Sequence, residues 1–183
     1  MAVWTRYGTP PLWQREPGFS TLVYIILEQQ VSLASAKAAF ERLRAKLGEV
    51  TPAAFLTLDD ATLKAIGFSR QKTRYGRLLA EELLARRLDL DALTDQPDDV
   101  IRERLLKLIG VGPWTVEIYL TMALLRPDAW PVGDIAVAQA LKGLYHLDKR
   151  PSGETLYNLG ECYRPYRAVA ARLLWWHYLK GVH

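Results

Sequence analysis

Apolar residues recur at helix spacing along nearly the whole chain, and nowhere do they alternate with polar ones long enough to make a strand. Phe19, Leu22, Val23 and Ile26 fall at i, i+3, i+4 and i+7, and Ala36, Phe40, Leu43 and Leu47 form a second stripe that stops at Gly48. Thr51-Pro52 and Leu58-Asp59-Asp60 open two short helices, the second closed by Gly67, and Ser69 caps a longer one through about Arg87. Gln96-Pro97-Asp98 starts a helix with Ile101, Leu105 and Leu108 on one face, ended by Gly110. Trp114, Ile118, Thr121 and Leu125 resume the spacing directly after Gly112-Pro113. A loop with Pro127 and Pro131 runs from Arg126 to Gly133, and Asp134 starts a helix through Val137, Leu141 and Leu144. Pro151-Ser152-Gly153 precedes two final helices split near Pro165, the last with Ala168, Arg172, Trp175 and Leu179 on one side. Turn signals recur too often for a coiled coil, and no repeat of fixed period appears. The expected fold is all-α, many short helices around one or two small cores.

Composition narrows the possible functions. The chain has 183 residues, about one domain's worth, and 50% hydrophobic content is enough to bury a core. Charged residues make up 24%, close to the globular average, which argues against a disordered regulator. Cys162 is the single cysteine, so the chain supplies neither a disulfide framework nor an all-cysteine zinc or iron–sulfur site. The longest apolar run, Leu22 to Leu27, falls far short of the ~20 residues of a spanning helix. Met1 to Pro11 shows no secretory apolar run, so no membrane association and no signal peptide are expected. Lys and Arg number 24 against 20 Asp and Glu, a net +4 that suits a polyanionic partner and equally an ordinary basic protein.

The stretch that carries chemistry is LKLIGVGPWTVEIYLTMALLRPDAWPVGD, Leu106 to Asp134. Ile109-Gly110-Val111-Gly112-Pro113 is too short to be anything but a tight hairpin between two helices. Gly110 and Gly112 permit unusual backbone angles and leave no side chain between the hairpin and whatever approaches it. Pro113 fits the first helical position, where its missing N–H costs nothing. The amides near Trp114 and Thr115 then point outward at the positive end of the helix dipole, a ready phosphate site. A G-x-G alone is equally a plain helix–helix turn. What adds meaning is Pro-Trp-Thr after the second glycine and an aspartate, Asp134, beyond the proline-bearing loop.

That arrangement resembles the helix-hairpin-helix DNA glycosylase superfamily, and GVGPWTVEIYL followed by RPDAWPVGD is most similar to its alkylation-repair branch, the 3-methyladenine DNA glycosylase II type. LEQQVSLASAKAAFERLRAKLG at 27–48, IGFSRQKTRYGRLLAEEL at 66–83 and RPYRAVAARLLWWHYLKG at 164–181 extend the likeness over residues 19–181. The resemblance implies a glycosylase domain over 19–183 after an N-terminal extension at 1–18, with two helical lobes and a DNA- and base-binding cleft between them. Three departures refine it. Bifunctional members carry a lysine two positions after the second hairpin glycine, where Trp114 stands here. The branches with an iron–sulfur cluster need four C-terminal cysteines. The best-known bacterial alkylpurine enzyme has an N-terminal β-domain, whereas about 18 residues precede the first helix here. The resemblance therefore implies a monofunctional, cluster-free, minimal enzyme.

It also assigns roles. Asp134 would stabilise positive charge on the sugar or orient water, although Asp is equally a favoured helix N-cap, and both can hold together. Trp114 and Trp175, with Ile118 one turn after Trp114, would form the pocket for an extruded, cationic base; six tryptophans in an apolar chain are otherwise core. Gln30 stands where the family places the wedge that fills the gap left by the flipped nucleotide, with Gln29 and Ser32 beside it; locally it reads as a surface amide. Gly110, Val111, Gly112 and Thr115 would bind DNA. The carbonyls of Leu106, Leu108 and Val111 correspond to those that hold a monovalent cation, Na+ or K+, in relatives; no other cofactor is implied. Arg70, Lys72, Arg74 and Arg77 form the densest basic run, either a solvated face or a phosphate track.

The implied partner is double-stranded DNA with alkylated bases, met by a monomer in the cytoplasm (on the nucleoid in a bacterium) or in a eukaryotic nucleus. Two rival readings are a non-catalytic helix-hairpin-helix module and a glycosylase for uncharged lesions such as mismatched adenine or oxidised guanine. His146, His177 and His183 lack metal-ligand spacing. Glu81-Glu82 and Asp98-Asp99 read as exposed helix charges, and Cys162 as a small buried apolar residue.

Overall fold

The structure, a computed structural model, describes residues 3–181, so His183 lies outside the described residues. They fold as α1 (Val3–Tyr7), α2 (Phe19–Glu28), α3 (Leu33–Leu47), α4 (Pro52–Leu56), α5 (Asp60–Ile66), α6 (Arg70–Leu84), α7 (Leu90–Thr94), α8 (Asp98–Leu106), α9 (Pro113–Met122), α10 (Ile135–Leu144), α11 (Gly153–Glu161) and α12 (Arg167–Leu179). Among the described residues there is no strand, and no helix is long and apolar enough to cross a membrane. The all-α expectation holds.

Side-chain caps start several of the helices. The oxygens of Ser32, Thr51, Asp59, Ser69 and Asp134 each accept an amide of the following first turn. Three expected ends shift, one of them after Pro113, where α9 stops at Met122 and Leu125 is left-handed at φ 52° instead of continuing the helix. The helix from Ser69 stops at Leu84 instead of about Arg87, because Arg86 is left-handed at φ 55°. The helix before the hairpin stops at Leu106 instead of reaching Gly110. There the amides of Lys107 and Leu108 bond three residues back, to Arg104 and Leu105, and Val111 to Leu108, which tightens the chain into turns. Cys162 is exposed, not buried as expected. It follows the last turn of α11, whose buried stripe is Leu156 and Gly160, and its Sγ–H meets the Leu159 carbonyl at 3.3 Å.

The chain divides into two compact units, Glu16–Tyr119 and the pair of segments up to Arg15 and from Leu120 on. In the first, α2 packs on α3 and α6, α4 and α5 on α6, and α3 on α5. Leu22, Val23, Ile25, Ile26, Leu43, Phe55 and Leu63 are all but fully buried. Gly76, inside α6, lets the Phe55 ring lie where a Cβ would sit 2.6 Å away.

In the second unit α12 packs against α10 and α1. Residues 3–15 are part of this unit's packing: Arg172 Nε donates to the Leu12 carbonyl (3.1 Å) and Trp176 Nε1 to that of Tyr7 (3.0 Å). Its polar anchor is Arg167, 6% exposed. Arg167 reaches both carboxylate oxygens of Asp128 at 2.8 and 3.0 Å and the Asp128 carbonyl at 2.9 Å. Burial pushes the Asp128 carboxyl up, but the hydrogen bonds and charge of Arg167 outweigh that and hold it below the ordinary aspartate value.

Candidate functional site

In the unit 16–119 the hairpin is fastened from outside. Gly110 is left-handed at φ 92°, and a Cβ on it would meet the Tyr75 ring at 2.2 Å, so both the angle and the space demand glycine. Gly112 has open space around it and no left-handed angle, so the turn itself does not require glycine there. That corrects the expectation of unusual angles at both positions and leaves close approach as the use of Gly112. Pro113 is the first residue of α9, whose first-turn amides have no intrahelical carbonyl. Arg102 on α8 and Glu117 on α9 join in a two-pronged ion pair at 2.6 and 3.2 Å that holds the hairpin's helices together.

The loop after α2 is bolted to this hairpin. The Gln29 amide donates to the Gly110 carbonyl (2.9 Å) and to Thr115 Oγ1 (3.0 Å). Lys72 Nζ donates to the carbonyls of Leu27 (2.7 Å) and Gln29 (2.8 Å), and its partial burial lowers its pKa. Gln30 follows in the left-handed region at φ 57°, exposed, with Val31 and Leu33 also exposed beside it. The basic run thus splits. Lys72 clamps the loop, Arg77 pairs with Asp60 and the Leu58 carbonyl at 2.8 and 2.7 Å, and Arg70 and Arg74 stay exposed. Val111, Thr115 and Ile118 are buried, so Val111 and Thr115 have main chain rather than side chain to offer, while Trp114 keeps part of its surface.

The second unit holds a carboxylate of its own. The loop ahead of α10 is anchored by Trp130, 2% exposed, whose Nε1–H donates to the Leu156 carbonyl at 3.0 Å. Gly160 makes room for that indole: a Cβ there would lie 2.5 Å from its Nε1. Amides of Val132 and Asp134 turn back onto the carbonyls of Trp130 and Pro131, and Gly133 is left-handed at φ 92°. This delivers Asp134, 9% exposed, to the start of α10. Its Oδ1 accepts two hydrogen bonds, from the Val137 amide at 2.9 Å and from Trp175 Nε1 at 3.1 Å.

The N-cap reading of Asp134 is therefore correct in geometry, and the residue also meets one of the two tryptophans singled out from the sequence. A carboxylate whose plane is fixed by two N–H donors can stabilise a developing cation without reorganising. Sequence reasoning names Lys72 only within the basic run, not as a clamp, and misses the anchors Tyr75, Trp130 and Gly160. A glycine inside an otherwise helical pattern, as at 76 and 160, is the signal that could have found the last.

Residues 23–165 match the family described as HhH-GPD superfamily base excision DNA repair protein. The DNA-3-methyladenine glycosylase 1 of Schizosaccharomyces pombe is 28% identical over 166 residues, 88% of this chain and 72% of that protein. YfjP of Bacillus subtilis is 28% identical over 186 residues, 95% of this chain, which spans 63% of that relative's length. The solved structure of the S. pombe 3-methyladenine DNA glycosylase Mag1 in complex with abasic DNA superposes with a TM-score of 0.86 at 26% identity, covering 96% of this chain and 90% of that one. With residues 23–165 matched by the family and an all-helical fold shared with a solved relative, this chain belongs to the HhH-GPD superfamily of base excision DNA repair proteins.

Proposed function

We propose that this chain is a monofunctional DNA glycosylase that flips an alkylated purine out of duplex DNA, hydrolyses its N-glycosidic bond and leaves an abasic site. The observation that carries the reading is the double hydrogen bond on Asp134 Oδ1, which sets a buried carboxylate against the Trp175 indole. As the C1′–N bond breaks, its electron pair goes to the base, neutralising the cation that an N3- or N7-methylpurine carries. Positive charge then builds on the sugar beside Asp134, water adds its oxygen to C1′, and the water's proton passes to the carboxylate or to solvent. A base already cationic is a good leaving group, so one carboxylate suffices.

Trp175 offers an electron-rich face to such a base, and the part-exposed Trp114 is assigned to base contact as well, whereas Ile118, expected from the resemblance to line the same pocket, is buried and has no side-chain surface to offer. Trp114 stands where a Schiff-base lysine would be needed for strand cleavage, so no lyase step follows. The hairpin amides around Gly110–Thr115 bind phosphate, and Gln30, exposed at the tip of a clamped loop, fills the vacated stack. The carbonyls of Leu106, Leu108 and Val111 suit Na+ or K+. They are hard oxygen donors at the negative end of α8, and that of Leu108 has accepted one amide and keeps a second lone pair. An ion held by these carbonyls would supply positive charge for a DNA phosphate. The protein acts as a monomer, wherever the cell keeps its DNA.

The test is a set of duplexes bearing 7-methylguanine, mismatched adenine or 8-oxoguanine, assayed for released base and for strand breaks before and after alkali. Release of the methylated base with breaks only after alkali is expected. Tight binding without release from any duplex would establish a binding module, and release of only the neutral bases would establish the uncharged-lesion reading.

A further inference from the structure

The segment ahead of α2 contains a bulky residue in a backbone conformation that bulky residues rarely adopt: Trp13, at φ 49°. Its neighbours show what holds it there. The Leu12 carbonyl is gripped by Arg172 Nε at 3.1 Å, and the Arg15 amide donates to the Met122 carbonyl at 3.0 Å. Arg172 is 7% exposed and gives its other donors to main chain, Nη1 to Ala168 at 3.3 Å and Nη2 to Thr121. A buried guanidinium that collects three carbonyls is a rigid post, and the N-terminal segment is tied to it on one side of Trp13 and to α9 on the other.

The product of that constraint is an aromatic contact of defined geometry. The Trp13 indole meets Trp175 edge-on, ring centroids 6.2 Å apart and planes at 78°, and meets Trp176 at 6.1 Å and 63°. Trp176 has holds of its own, through Nε1–H to the Tyr7 carbonyl and beneath the Lys180 ammonium at 4.1 Å. Trp175 reaches Asp134 through a single N–H, and a rotation of its ring would break that bond. An edge-on neighbour resists that rotation in a way that mere filling of volume does not.

We infer that Trp13 is a positioning residue: pinned by Arg172, it fixes the plane of the Trp175 indole and thereby the hydrogen bond that orients Asp134. The inference rests on the glycosylase reading for its consequence in catalysis, and on the Trp13–Trp175–Asp134 chain of contacts for its structural part.

The test takes the full-length protein labelled with 15N at tryptophan, with the Trp175 Nε1–H resonance assigned by its loss in Trp175→Phe. In Trp13→Leu, which fills space without an aromatic edge, hydrogen exchange of that N–H rises on the order of fivefold. In Trp13→Phe it stays within about twofold of the parent. Single-turnover excision of 7-methylguanine falls about tenfold in Trp13→Leu, while DNA affinity changes less than about twofold, and Trp13→Phe restores most of the rate. Trp13→Met replaces Trp13→Leu if the latter does not fold, with the same expectations. Unchanged exchange in a folded variant overturns the inference, as does a loss of excision expressed wholly as weaker DNA binding. The exchange measurement uses the free protein, so a parent that releases no base sinks the glycosylase reading while the role of Trp13 is still decided.

Discussion

The two units hold their functional groups by opposite means. Between Glu16 and Tyr119 the presented groups are main-chain amides and carbonyls of a hairpin, kept free of side chains by glycine and braced from behind by Gln29, Lys72 and the Arg102–Glu117 pair. In the other unit the presented group is one side chain, Asp134, and its supports are buried: Trp130 under the loop, Trp175 on the carboxylate, Arg172 behind the N-terminal segment. The first design tolerates change at exposed positions but not at its turn. The second tolerates almost none, because each support comes from a different stretch of chain. Gripping a repetitive backbone needs only a local shape, whereas steering one reacting bond needs parts assembled from afar.

The sharpest way to break this comparison is Asp134→Asn. Asparagine caps helices as well as aspartate and can still accept from Val137 and Trp175. Folding and DNA binding should therefore persist while excision falls by a factor on the order of a thousand, measured as single-turnover base release. A pair of glycine variants sharpens the first half. Gly110→Ala meets Tyr75 and a left-handed angle and should cost about 3 kcal/mol in denaturant unfolding. Gly112→Ala should leave unfolding unchanged yet weaken DNA binding, because its space is open until a phosphate approaches.

Asp128→Ala probes the buried side of the second unit by stranding Arg167, and a loss of about 3 kcal/mol is expected by the same measurement. The pH dependence follows from the lowered Asp128 value. Its contribution is complete above the unfolded aspartate pKa of about 3.9 and is lost as pH falls through the lower folded value, so parent and variant should converge in stability only at acid pH. The smallest effect is expected from Gln29→Ala. It removes two hydrogen bonds from a half-buried amide and should cost about 1 kcal/mol while weakening DNA binding a few-fold.

The same contrast governs what the sequence discloses. The capped helices, the hairpin and Asp134 at the start of α10 can all be read from neighbours a few positions apart, where capping and periodicity operate. Helices α1 and α7, five residues each, are too short to show a period. The fit of Trp130 into Gly160, the Tyr75 ring over Gly110 and the Trp175–Asp134 bond join residues 30 to 41 positions apart, and no local rule couples them. Trp114 and Trp175 stood out from the sequence through resemblance; residue type alone marks them as core. Gly112 was misjudged because a glycine free of side-chain conflict and a glycine forced by its angle look alike in one-letter code.

The order in which these parts leave the ribosome gives the anchoring of Asp134 a further meaning. The hairpin unit is a single run of chain and can close once Tyr119 has emerged, whereas the Asp134 carboxylate waits for Trp175, 41 positions downstream, and for a tryptophan made long before either. Under the proposed function a nascent chain holds a duplex before it is able to release a base from one, and the carboxylate acquires its orientation only when the segments on either side of the hairpin unit have found each other.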